Sequence, residues 1–224
     1  MTKPPIPVIA IDGPSASGKG TVAKLVAQRL GFHFLDSGAL YRAVTLAALK
    51  AGVGLDDEAA LARVAAALDI SFDGDAIHMN QELVTDAIRS ERISASTSEV
   101  AAMPAVRQAL LKRQRAFRQP PGLVADGRDM GAVVFPDAVL KIYLTADVAE
   151  RTRRRYKQLI EKGMDANMAT LLQDIRQRDE RDSARATAPL QMSNDASLLD
   201  TTKLSIAAAV EQVLARYAAA KQVP

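Results

Sequence analysis

The sequence predicts an α/β fold, a parallel sheet of five strands flanked by helices, into which a small antiparallel β segment is inserted. Three observations predict it. Short β-rich apolar runs alternate with helical patterns along most of the chain. A glycine-rich turn joins the first of those runs to the first helix. One stretch, at about 69–100, breaks the alternation.

Taken in order, residues 7–12 (PVIAID) read as the first strand. A helix follows, with Val22, Leu25, Val26 and Leu30 on one face and Gly31 as its stop. Residues 32–35 are a second strand, and 123–125, 139–144 and 197–199 supply three more. Asp147 and Glu150 have the spacing of a capping box, and Gly163 ends the helix that they open. Pro104 suits a helical first turn. The last helix carries Ile206, Val210, Val213, Leu214 and Tyr217 on one stripe. Strand–helix alternation implies right-handed crossovers and a parallel sheet covered by helices. In the exceptional stretch, 70–72, 77–79 and 82–85 form a meander, the first two joined through Asp73-Gly74-Asp75.

Of the 224 residues, 48% are hydrophobic and 25% charged, enough apolar material for one sizeable core and against a disordered or fibrous chain. The absence of cysteine excludes disulfides, thiolate catalysis and cysteine-ligated metals. The N-terminal stretch lacks the features of a signal peptide, and no apolar run is long enough for a bilayer, so the expected location is the cytoplasm, with no membrane partner. A net charge of +3 gathers in 107–118 and 151–157. Such runs are most often solvated helix faces. With four Tyr, five Phe and no Trp, the chain has few stacking platforms for nucleic acid, and a small anionic ligand accounts equally well for clustered arginines. His33 and His78 make no metal site, and the seven Met read as core filler.

The strongest signal is Gly13-Pro14-Ser15-Ala16-Ser17-Gly18-Lys19-Gly20-Thr21, between strand and helix. Glycines let successive N–H groups point into one concavity, the helix N-terminus adds partial positive charge, and Lys19 would bridge the β- and γ-phosphates. The alternative is a glycine-rich turn with an incidental lysine. The strict pattern has Ser or Thr after the lysine; here Gly20 intervenes before Thr21, the metal-side hydroxyl, and no residue is assigned as a direct metal ligand. A P-loop places the chain in the P-loop NTPase type and implies a nucleoside triphosphate, not what is done with it.

Two further segments narrow the chemistry. In Asp36-Ser37-Gly38-Ala39-Leu40-Tyr41-Arg42, Ser37 and the following N–H groups could hold a second anion with Arg42 one turn inward; the alternative is an N-cap serine before a solvated arginine. In Ala125-Asp126-Gly127-Arg128-Asp129-Met130-Gly131, Arg and Asp stand together at a strand's carboxyl end, where open α/β sheets bind ligands, though a surface turn with a local ion pair would read the same.

Together, GPSASGKGT, DSGALYR, VRQALLKRQRAF, ADGRDMG and RDERDSARATAPL resemble the bacterial cytidylate kinase family, in that family's order and across nearly the whole chain. The resemblance implies a single P-loop kinase domain over 1–224: a core of about 1–68 and 101–224, a monophosphate-binding insert of about 69–100 and a short helical lid at about 151–165. It implies ATP and Mg²⁺ as cofactors and CMP or dCMP as acceptors. It puts Ser37 and Arg42, helped by Arg128, at the acceptor phosphate, Asp129, Arg107 and Ser98 at the cytosine, and Arg178, Asp182 and Arg185 at sugar and phosphates, with Tyr41 among the CMP-binding residues. Lys19, Arg128, Arg178 and Arg181 are the implied catalytic cations; the helix of Arg151, Arg153, Arg154 and Arg155 corresponds to the lid, with some of these arginines on phosphate and at least one or two on a solvated face.

That set suits phosphoryl transfer, which needs in-line positioning and positive charge rather than a nucleophilic side chain. The rival readings are a kinase of the same architecture acting on UMP, AMP or a small hydroxylated acid, and a P-loop protein whose basic helices bind nucleic acid. No self-complementary apolar face is evident in the sequence, so a monomer is expected.

Overall fold

A computed structural model describes residues 5–161, 163–185 and 187–221. The chain forms two compact units, 1–35 with 117–224, and 36–116.

The first unit is built on β1 (Val8–Asp12), β2 (His33–Asp36), β6 (Leu123–Gly127), β7 (Leu140–Thr145) and β8 (Ser197–Asp200), in the order β2-β6-β1-β7-β8. β1 pairs in parallel with β6 and β7, and β7 with β8, so the five-stranded sheet expected from the alternation is present. β1 is central, and Val8 through Ile11 are fully buried, as a continuous apolar run in a parallel sheet should be. Helix α1 (Lys19–Leu30) and helix α8 (Ile206–Ala220) share one core with the sheet: Val22, Val26, Val210, Val213 and Tyr217 pack against Ile9, Ile142 and Leu144. Each such side chain contributes about 1.5–3 kcal/mol by burial. Gly31 ends α1 in the left-handed region, and the Phe32 N–H donates to the Ala27 carbonyl, closing a Schellman turn. Phe32 then meets Tyr217 edge to face at 5.8 Å.

Helix α6 (Val148–Glu161) and helix α7 (Met168–Ser183) form a hairpin in the same unit. The expected capping box at the start of α6 forms only in half. The Asp147 carboxylate accepts from Ala149 N–H, but Glu150 is held by Arg153 and Arg154, and Asp147 N–H donates to Thr202 Oγ1 instead. Gly163 closes α6 with a φ of +72°.

The second unit carries α2 (Ser37–Lys50), α3 (Glu58–Ala67), α4 (Glu91–Val100) and α5 (Pro104–Ala116) around Leu40, Val44, Leu61, Ile88, Val106 and Leu110. Pro104 opens α5 as its proline chemistry predicts, and Glu58 accepts from the next N–H, Ala105, at 2.7 Å. The meander is β3 (Ile70–Asp73), β4 (Ala76–Met79) and β5 (Glu82–Leu83), antiparallel throughout. Its second turn places Asn80 and Gln81 both at positive φ, the requirement of a type I′ hairpin. Met79 and Met130 are buried, whereas Met164, Met168 and Met192 are exposed, so methionine is core filler only in part.

Candidate active site

The glycine-rich turn leaves β1 with Gly13 at φ +155°, and a Cβ there would stand 1.9 Å from the Leu144 carbonyl oxygen. Only glycine allows that approach of loop to β7. Lys19 opens α1 almost fully buried, and its Nζ donates to the Pro14 carbonyl at 3.1 Å, folding the ammonium back over the loop. Burial and then Arg128 lower its pKa to about 8. The departure from Gly-Lys-Ser/Thr has a steric reason: a Cβ on residue 20 would come within 2.9 Å of Asp126 Oδ2. Asp126, at the end of β6, thus stands beside the Lys19–Thr21 turn, and it was not singled out from the sequence.

The loop's shape is secured through its carbonyls. Arg151, from α6, donates to Ser15 O at 3.2 Å and Ala146 O at 2.9 Å and pairs with Asp179 at 2.7 Å. Arg154 donates to Ser17 O at 3.0 Å and to Thr201 O at 2.6 Å. Thr201 Oγ1 also lies 3.2 Å from Ser17 O. Arg153 only pairs with Glu150 in solvent, and Arg155 reaches Gln158. Two of the four α6 arginines therefore hold the loop, and Arg153 lies on the solvated face.

After β6 the chain enters a π-helical turn, Met130–Val134, with Phe135 N–H bonded to Met130 O at 2.7 Å. Such turns are rare outside functional positions. Arg128 Nε donates to Asp182 Oδ2 at 2.8 Å, and Arg185 donates to the other oxygen of the same carboxylate. Asp182 is 1% exposed. Burial alone would raise its pKa; Arg128 and then Arg185 outweigh that and hold it below the ordinary value. Arg128 and Arg178 both lie within electrostatic reach of Lys19. The result is a buried cluster of cations around the phosphate loop, ordered by carboxylates. Arg181 is exposed, its Nε 3.4 Å from Gln177 O.

In the 36–116 unit, Asp36 rather than Ser37 caps α2. Its Oδ1 accepts from Ala39 N–H at 2.9 Å and its Oδ2 from Arg42 at 3.0 Å. Gly38 makes room for this: a Cβ there would lie 2.9 Å from the Arg42 guanidinium. Ser37 is buried in the first turn. Arg107 stands 5.9 Å over the Tyr41 ring and donates to Ala101 O at 3.1 Å, which fixes the base of α5. Ser98 Oγ donates to Ala95 O at 3.1 Å on α4. The structure thus gathers Ser37, Tyr41, Arg42, Ser98 and Arg107 in one unit and Lys19, Arg128, Asp129, Arg178, Asp182 and Arg185 in the other.

The sequence profile described as Cytidylate kinase matches residues 9–219. The chain belongs to the cytidylate kinase family. A cytidylate kinase of Pseudomonas paraeruginosa (strain DSM 24068 / PA7) is 59% identical, over 93% of this chain and 94% of that one. One of Bordetella pertussis is 59% identical over 93% of each chain. One of Nitrosomonas europaea is 54% identical over 99% of this chain and all (100%) of its own. Among solved structures, an uncharacterized protein from Eubacterium ventriosum has a TM-score of 0.51 at 14% identity, covering 95% of this chain and 98% of that chain, a likeness of fold alone.

Membership of the cytidylate kinase family agrees with a site rich in arginine. Among the described residues no group of three or more His, Asp or Glu could hold a metal by itself, and no helix is long and apolar enough to cross a membrane. Of the segment 151–165, residues 151–161 belong to α6, and Lys162 lies outside the described residues.

Proposed function

We propose that the protein transfers the γ-phosphoryl group of ATP to CMP or dCMP, forming ADP and CDP or dCDP. The observation that carries this is the buried Lys19 folded over a glycine-rich loop, with Arg128 and Arg178 beside it, in a chain of the cytidylate kinase family. The phosphate loop, residues 13–21, cradles ATP through its N–H groups and Lys19. Lys19, Arg128, Arg178 and Arg181 neutralise charge that spreads over the transferring oxygens. Thr21 and Asp126, on either side of Gly20, are the oxygen-bearing side chains that would hold Mg²⁺, directly or through water, and the ion would supply further charge neutralisation.

On the acceptor side, Ser37, Tyr41, Arg42 and Arg128 take the monophosphate, and Arg178, Asp182 and Arg185 take sugar and phosphate. Asp129, Arg107 and Ser98 read the base. A carboxylate accepts from the cytosine N4 amine and repels the uracil O4, so UMP is a poor acceptor. An unpaired buried polar group can discriminate by about 10⁴. Segment 69–100 serves as the monophosphate-binding insert and 151–165 as a lid that excludes water from the γ-phosphate. The same reading makes the protein a cytoplasmic monomer with small-molecule partners and no nucleic acid or membrane partner.

The test is ADP release from ATP and Mg²⁺ with CMP, dCMP, UMP, AMP and GMP in parallel. ADP should form with CMP and dCMP and only slowly without an acceptor. Equal turnover of UMP and CMP would defeat the Asp129 assignment, and no turnover with any acceptor would defeat the kinase reading.

A further inference from the structure

Asp12 has no part in the function derived so far, yet it is the last residue of the central strand and the register partner of Gly127, one residue before Arg128. Its Oδ1 accepts from Met130 N–H at 2.8 Å and its Oδ2 from Gly131 N–H at 2.9 Å. These are the opening N–H groups of the π-turn, donors that a helical turn cannot satisfy from within. Asp129, at the N-cap position, makes no side-chain capping bond to that turn. The capping task falls to a residue more than a hundred positions earlier, on the central strand of the sheet.

We propose that Asp12 is a positioning residue for acceptor selection: by clamping two successive N–H groups it fixes the backbone from which Arg128 and Asp129 project. The arrangement is costly. Burial above all, and then the nearby Asp129 and Asp126, push the Asp12 carboxyl up to about 7, while the two backbone bonds pull it down. Each of the two N–H groups has its own oxygen of the carboxylate, a geometry that a side-chain amide, with one oxygen and one NH₂, does not reproduce. The inference rests on the acceptor reading above.

Asp12→Asn is nearly isosteric but offers one acceptor and one NH₂ donor, so one of the two N–H groups loses its partner. The kcat/KM ratio of CMP over UMP should fall about tenfold or more, mainly through a higher KM for CMP. ATP affinity without acceptor, measured by equilibrium dialysis, should stay within about threefold, because the phosphate loop has its own clamps in Arg151 and Arg154. A folded variant that keeps the wild-type ratio overturns the proposal, including one that loses ATP and CMP binding equally. If thermal melting shows Asp12→Asn to be unfolded, the wild-type ratio between pH 8 and pH 6 decides. Around Asp12 the titratable groups are Asp126 on β6, Asp129 in the π-turn and Tyr143 on β7, with Lys19 of α1 facing Asp126. Burial, and then Asp179, raise Tyr143, so it stays neutral over that range. A severalfold fall of the ratio towards pH 6 supports the clamp, since both nucleotides' phosphates titrate alike and cancel; a flat ratio overturns it. A wild-type protein that turns over no CMP brings down the functional reading itself, and this inference with it.

Discussion

The two turns proposed to bind anions are built in opposite ways. The phosphate loop after β1 is held from outside, with Arg151 and Arg154 of α6 and Thr201 after β8 bonded to its carbonyls. The DSG turn at the start of α2 is held from within, by Asp36 and Arg42 six residues apart. In the first, arginine charge is spent on the protein; in the second, Arg42 is in a single ion pair, 17% exposed, that a phosphate can replace. Arginine near a phosphate-binding turn is therefore not by itself a phosphate ligand. What it touches in the ligand-free fold separates loop-holding arginines from ligand-binding ones.

The largest effect should come from removing the one cation that belongs to the loop itself. Lys19→Ala should cut kcat/KM by about 10²–10³-fold in the ADP-release assay. If it does not, the loop's external clamps leave the chemistry independent of its lysine. Next, Asp182→Ala strands Arg128 and Arg185 in a buried site and should lower stability by about 3 kcal/mol in urea unfolding at pH 7. The comparison itself is sharpened by a pair. Arg154→Ala should raise KM for ATP about tenfold and leave KM for CMP alone, while Arg42→Ala should do the reverse. Matching shifts from both variants would erase the distinction, and Arg153→Ala, on the solvated face, should change neither by more than about twofold.

Comparable in size to the Arg154 and Arg42 shifts, but confined to high pH, is the pH response of the phosphate loop. Lys19 carries its charge below its pKa of about 8 and loses it above, so ATP affinity should weaken as pH rises from 7 to 9, by about tenfold at the upper end. Equilibrium dialysis across that range checks it, and the dependence should vanish in Lys19→Ala.

Much of this was legible in residue order. The phosphate loop, the five parallel strands, the meander and the Pro104 helix start all rest on local chemistry: glycine spacing, apolar period and turn residues act within about ten positions. The family resemblance supplied the site residues, and the fold sorts them by unit. Where local reasoning failed, a competing partner, near or far in sequence, had intervened. The Asp147–Glu150 box is broken because Arg153 and Arg154 bind Glu150 more strongly than a backbone N–H can, and Thr202 takes the Asp147 N–H. The DSG serine is not the cap, because Asp36 stands one residue earlier with two oxygens, one for the helix and one for Arg42.

By itself the sequence determined an α/β P-loop fold, the place of its phosphate loop and the residue types around it, because those follow from backbone sterics, periodicity and the charge of phosphate. Only the tertiary structure decided that Gly20 yields to Asp126, that Arg151 and Arg154 serve the loop while Arg153 serves solvent, and that Asp12 caps the turn after Asp129. Each of these joins residues from separate elements of the chain. A buried donor or acceptor takes whichever partner the folded sheet brings within 3 Å or so, and no local pattern encodes which one that will be.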